Sequence, residues 1–285
     1  MTSPWAVHTA CSDPGPYADL VHALPAGVEA ACAAARNVIG HFGAEFGDLG
    51  PPERDDVDLR LLSRILEVDQ RRHRLPLDVP RDPRTRVAGC CRDHALFVVG
   101  VLRERGIPAR TRVGFADYLI HGRRVDHVIV EYLSAGRWIR VDPEIVQVTV
   151  ALNPADLSSG PEAPFQTAAE AWQTCRQDPA RFDRYQIPPG SGFVDPAHLI
   201  RTYVALELVH RCRQELLLWD TWAGLDDMDN ELADQVAALL RAADSGDRSS
   251  ENDLIALAAR IGPQRTVSQL SPFGEPAQQI ELPPV

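Results

Sequence analysis

Apolar residues recur at three- and four-residue spacing along residues 18–46, at Leu20, Leu24, Val28, Ala31, Ala35, Val38 and Phe42, the period of one face of an α-helix. Pro25 and Gly27 interrupt the run and predict two helical pieces, and Pro51 and Pro52 end the unit. A second amphipathic stretch covers about 57–68. The segment RRHRLPLDVPRDPRTR that follows carries too many prolines and charges for regular structure, which predicts a loop. From Cys91 to Arg105 the chain reads CRDHALFVVGVLRER, apolar on most faces and so expected as a buried helix, stopped by Gly106 and Pro108. Residues 110–119, 127–133 and 137–142 are rich in β-branched and aromatic side chains and predict three strands. The expected order is a helix followed by an antiparallel meander.

After Pro143 the pattern changes. A Pro/Ser/Gly-rich connection near 153–164 precedes a helical segment at 165–183, and a second Pro/Gly-rich break follows at 188–192. Residues 197–219, with Leu199, Tyr203, Leu206, Val209, Leu216 and Leu217, form the strongest helical pattern of this half. Shorter helices are expected at 230–242 and 251–261, and a loose tail over the last ten residues. The fold class this predicts is α+β, with an antiparallel sheet packed on the Cys91 helix and an N-terminal helical layer. The expected division is a core at 1–150 and a helical extension or lid at 151–285.

Composition narrows the function. A formal charge of −11 argues against nucleic acid as a partner, because that binding is mostly electrostatic. No stretch approaches the roughly 18 uncharged apolar residues of a membrane span, and the opening residues lack the pattern of an export signal. The expected location is the cytoplasm, with no membrane partner. There the six cysteines (Cys11, Cys32, Cys90, Cys91, Cys175 and Cys212) are expected as free thiols.

Cys91 opens the buried helix, where the helix dipole and unpaired N–H groups favour a thiolate. A nucleophilic cysteine also needs a base, itself oriented by a carboxylate or amide. His127 and Asp142 meet that need if Ser134 and Ala135 form a two-residue hairpin loop: Leu133 then pairs with Gly136, and His127 falls opposite Asp142. Opposed residues have Cβ atoms about 5 Å apart. A three-residue loop with a bulge shifts this register. Each residue also has a plainer reading, His127 as a satisfied histidine at a strand start and Asp142 as the initiator of a turn before Pro143. Asp93 suits the first turn of a helix through the dipole alone, with Arg92 as its neighbouring counter-charge, and Cys90 suits a packed small side chain. A zinc site from Cys90, Cys91, His94 and His127 is disfavoured, since adjacent cysteines fit one tetrahedral ion poorly. No phosphate-cradling glycine loop occurs, so neither metal nor cofactor is expected.

Gly89-Cys90-Cys91-Arg92-Asp93, the helix after it, GIPAR at 106–110, DHVIVEYL at 126–133 and GRWIRVDPE at 136–144 together resemble the core of the transglutaminase-like superfamily. The resemblance covers roughly residues 85–145. ELLLWDTW at 215–222 is similar to a stretch of actinobacterial members. The likeness implies a papain-like fold, Cys91 rather than Cys90 as nucleophile, His127 as base and Asp142 as the residue that orients it. It implies acyl transfer through an acyl-enzyme, on a small-molecule, peptide or carrier-bound amide or thioester, with release to water or an amine. The alternative is a catalytically silent binding module of the same fold.

Overall fold

The computed structural model describes residues 3–146, 152–160, 162–188 and 194–283. The expected core boundary at 150/151, and residues 189–192 of the second Pro/Gly-rich break, lie outside the described residues. The fold is α+β, as the hydrophobic pattern predicts, and the chain divides into two compact units. Among the described residues, the first comprises those of 3–111 and 128–157, and the second those of 112–127 and 158–283.

In the first unit, Pro25 and Gly27 separate α1 (Ala18–His22) from α2 (Val28–Val38). The helical period does not continue to Phe42. Ile39–His41 instead forms β1, paired in parallel with β2 (Val87–Gly89). Pro51 opens α3 (Pro51–Val57) instead of only ending the unit before it, because proline at a first helical position forfeits no intrahelical bond. The amphipathic stretch expected at 57–68 resolves into the end of α3 and α4 (Leu62–Arg72), with the Arg/Pro-rich loop after it.

The buried helix is α5 (Cys91–Glu104). Ala95, Leu96, Phe97, Val98, Val99 and Val101 are all fully buried, so the helix is enclosed on every face, as its sequence implies. A Cβ at Gly100 would lie 2.3 Å from Leu62 Cδ2 and 2.7 Å from the Ser12 carbonyl oxygen, so this glycine is what lets α5 approach α4 closely.

Strands β3 (Ala109–Ala116) and β4 (Arg124–Ser134) follow α5, and β5 (Arg137–Val141) pairs antiparallel with β4. The register differs from the expected one. Ser134 pairs with Arg137 and Leu133 with Trp138, so the hairpin loop is Ala135 and Gly136 rather than Ser134 and Ala135. Both loop residues have positive φ, 48° and 80°, the backbone that matches a two-residue loop to strand twist and that glycine supplies without strain. The register therefore sets Ile129, and not His127, opposite Asp142. Glu131 lies opposite Arg140 and accepts from it at 2.9 Å, while Arg110 bonds the other carboxylate oxygen at 2.7 Å and stacks 4.2 Å from the Trp138 ring centroid.

The second unit adds β6 (Phe165–Thr167), which pairs with β3, and α6 (Ala168–Gln177), then β7 (Tyr185–Gln186), which pairs with β4. The sheet order is β5-β4-β3-β6. A Cβ at Gly114 would lie 2.0 Å from the Gln166 carbonyl oxygen, so β3 requires glycine where β6 pairs with it. Helix α7 (Pro196–Arg211) stops eight residues short of the expected Trp219, where Arg213 turns into left-handed backbone at φ 68° and the Gln214 N–H caps the Val209 carbonyl. The stretch 215–222 is loop and the short strand β8 (Asp220–Thr221), followed by α8 (Ala223–Asp226). Helices α9 (Asn230–Asp244) and α10 (Arg248–Ile261) follow close to expectation. The expected loose tail is a correction: β9 (Thr266–Gln269) and β10 (Gln278–Glu281) form an antiparallel ladder against β8. A buried ion network ties this unit together, with Arg112 reaching Glu207 at 2.8 Å and Asp244 at 2.7 Å, and Arg211 reaching Asp244 at 2.6 Å. No helix among the described residues is long and apolar enough to cross a membrane.

Candidate active site

The GCCRD segment builds the start of α5. Cys90 is the N-cap and Cys91 the first helical residue, and Cys90 and Asp93 form a reciprocal capping box. Asp93 Oδ2 accepts the Cys90 N–H at 2.9 Å, and Asp93 Oδ1 accepts from Arg92 Nη1 at 2.9 Å. Arg92, fully buried, also donates to the Arg60 carbonyl at 2.9 Å. The pairing of Arg92 with Asp93 is thus real, and its effect is to lock the first turn. Gly89 completes the motif: a Cβ there would lie 2.9 Å from Asp93 Oδ2 and 2.9 Å from Ile39 Cγ2.

Cys91 is 5% exposed, at the positive end of a fourteen-residue helix. The Cys90 thiol is in hydrogen-bond contact with Cys91. That contact lowers its pKa, but burial and the Asp93 carboxylate outweigh it, and the Cys90 thiol stays above its ordinary range. His94 turns Nδ1 to the Cys90 carbonyl at 3.0 Å, while its Nε2 is buried with no partner. Burial drives three other thiols, Cys32, Cys175 and Cys212, up to about 12. Among the described residues no group of three or more His, Cys, Asp or Glu side chains is arranged to hold a metal ion.

Asp142 belongs to the same unit as Cys91 and is 2% exposed, directly after β5. Its N–H donates to the Pro154 carbonyl at 2.8 Å, and its Oδ1 accepts the Glu144 N–H at 2.9 Å. Asp142 does initiate the turn at Pro143, and Arg36 Nη1 holds the Pro143 carbonyl at 2.6 Å. Asp142, Cys32, Arg36, Val28 and Ile145 border a cavity of about 180 Å³.

His127 stands in the second unit, buried on β4, with the Tyr118 ring edge-on at 6.2 Å. Its neighbour Asp126 is a residue the sequence reading passes over. Tyr203 of α7 donates its hydroxyl to Asp126 Oδ2, and Asp126 Oδ1 is buried without a partner. Burial raises the Asp126 carboxyl to about 6, against the opposing effects of the Tyr203 hydrogen bond and His127. The residue that completes this pair lies 77 positions away, so no local pattern announces it.

Residues 68–143 match the transglutaminase-like superfamily, and the matched segment contains Cys91, His127 and Asp142. A Cytophaga hutchinsonii crystal structure, named as a candidate cysteine protease, aligns at 18% identity and a TM-score of 0.32 over 50% of this chain and 41% of its own. The chain thus spans less than half of that protein's length. No curated protein matches the chain.

Proposed function

We propose that the protein is a cysteine-dependent acyl-transfer enzyme, with Cys91 as nucleophile, His127 as general base and acid, and Asp142 as the residue that positions His127, a reading supported by the match of residues 68–143 to the transglutaminase-like superfamily. The observation that carries this reading is the place of Cys91, the first residue of a buried helix whose start is locked by the Cys90–Asp93 box. Helix dipole and first-turn N–H groups favour a thiolate there.

In the proposed reaction His127 takes the Cys91 thiol proton, the thiolate attacks the carbonyl carbon of an amide or thioester, and the first-turn N–H groups of α5 stabilise the developing oxyanion. Collapse expels the amine or thiol, protonated by His127, and leaves a thioester on Cys91. His127 then takes a proton from water or an amine, which attacks the thioester and frees the enzyme. The reading favours hydrolysis or aminolysis of a small, peptide or carrier-bound substrate.

The test is intact-mass analysis of the protein mixed with a panel of short acyl thioesters and acyl anilides. The proposal expects a covalent adduct equal to the acyl group on Cys91, absent in Cys91→Ala and greatly slowed in His127→Ala. Failure of every acyl donor to load Cys91, in a folded protein, would favour the silent binding module.

A further inference from the structure

Cys90 is not used by the proposed mechanism, yet its thiol is in hydrogen-bond contact with that of Cys91. Both residues are buried, at 3% and 5% exposure. We infer that Cys90 and Cys91 form a thiol-oxidation site, in which Cys91 oxidised by a small hydroperoxide is captured by Cys90 as a reversible vicinal disulfide. The inference rests on the reading of Cys91 as the reactive thiol.

The chemistry balances in two steps. The Cys91 thiolate attacks one peroxide oxygen, the O–O bond breaks, and the alcohol or water leaves with a proton; sulfur is oxidised to a sulfenic acid and the peroxide is reduced. The Cys90 sulfur then attacks the sulfenic sulfur. The S–S bond forms, the S–O bond breaks, and hydroxide leaves with the Cys90 proton as water.

Three features of the site favour this outcome. Burial admits a small peroxide more readily than a bulky thiol, so the resolving group has to be one already in place. Cys91 is the first residue of the helix, where the dipole favours a thiolate, while Cys90 is its N-cap, so the first oxidation falls on Cys91. Adjacent residues have Cα atoms about 3.8 Å apart, closer than the roughly 4.4–6.8 Å of ordinary disulfides, so the bond is strained and easily reduced. Forming it also disturbs the Cys90 N-cap, whose backbone is extended at φ −131° and ψ −173°. The oxidised form is therefore a temporary shelter that shields Cys91 from irreversible oxidation.

The experiment uses the full chain treated with hydrogen peroxide at neutral pH, digested with trypsin and read by mass spectrometry. Cleavage after Arg86 and Arg92 isolates residues 87–92, a peptide holding Cys90 and Cys91 and no other cysteine. The expected result is a loss of two hydrogen atoms from this peptide, reversed by dithiothreitol. Cys90→Ser, which keeps a favoured N-cap residue, should instead gain two oxygens at Cys91, and dithiothreitol should not remove them. Equal sulfinic acid in the two proteins, or a disulfide from Cys91 to Cys11, overturns the inference. A parallel iodoacetamide reaction separates the two failures. If Cys91 resists alkylation and peroxide alike, the reactive-thiol reading itself falls; if it alkylates rapidly but yields no vicinal disulfide, only the role of Cys90 falls.

Discussion

Asp93 Oδ2 accepts the backbone N–H of Cys90 at 2.9 Å while the other carboxylate oxygen holds the fully buried Arg92. One side chain thus caps the helix that presents Cys91 and neutralises a guanidinium with no access to water. Removing it strands a buried charge, which typically costs about 3–5 kcal/mol. Asp93→Ala is expected to lower the unfolding free energy measured in urea by that order, and Asp93→Asn, which keeps one acceptor, by less. Equal stability of Asp93→Ala and the native protein would contradict this role.

Gly89 is required by sterics rather than by backbone angle. Its absent Cβ leaves room for Asp93 and Ile39, each of which an alanine would meet at 2.9 Å. Gly89→Ala is expected to cost about 1–3 kcal/mol, the range for overpacking a close-packed site. Alkylation of Cys91 should slow at the same time, because the cap moves. An unchanged urea midpoint and alkylation rate would show that the cap accommodates a methyl group.

Glu131 bridges Arg110 and Arg140 inside the first unit. Glu131→Ala removes the carboxylate that the two buried guanidiniums share and is expected to destabilise by about 3 kcal/mol in chemical denaturation. A loss under about 1 kcal/mol, the range of exposed pairs, would mean that the cluster is hydrated.

Asp126 gives the protein a pH dependence of definite sign. Its carboxyl is raised by burial to about 6, so the native state keeps a proton that the unfolded chain has released. The stability this contributes is full below pH ~4 and is lost as pH rises through about 6, a swing on the order of 1–3 kcal/mol. Asp126→Asn should therefore gain on the native protein in melting temperature between pH 4.5 and 7. A difference that stays flat across that range rules the effect out.

The elements whose signals are local were legible in the chain. Gly106 and Pro108 close α5, and the apolar period of 91–105 marks it as buried. The sequence predicts the hairpin between β4 and β5 but places its loop one residue early. The left-handed backbone of Ala135 and Gly136 decides the turn, and the glycine is its sequence signal. The elements that differ lack such a mark: α7 is stopped by a left-handed Arg213 just after its end rather than by a glycine, and β9 and β10 gain their ladder from each other and from β8. At the site, Arg92 and Asp93 could be paired from adjacency and helix position. The link between Asp126 and Tyr203 depends on α7 meeting β4, which no spacing encodes.

The most direct test of Cys91 as nucleophile is its alkylation rate by iodoacetamide from pH 5 to 9, followed by mass spectrometry in the native protein, His127→Ala and Asp142→Asn. Cys32, Cys175 and Cys212, pushed up to about 12, remain protonated across this range and form a silent background. The account predicts that Cys91 labels far faster than the other five cysteines at pH 6, that His127→Ala abolishes this advantage, and that Asp142→Asn weakens it. Slow labelling of Cys91, unchanged by either substitution, would contradict it.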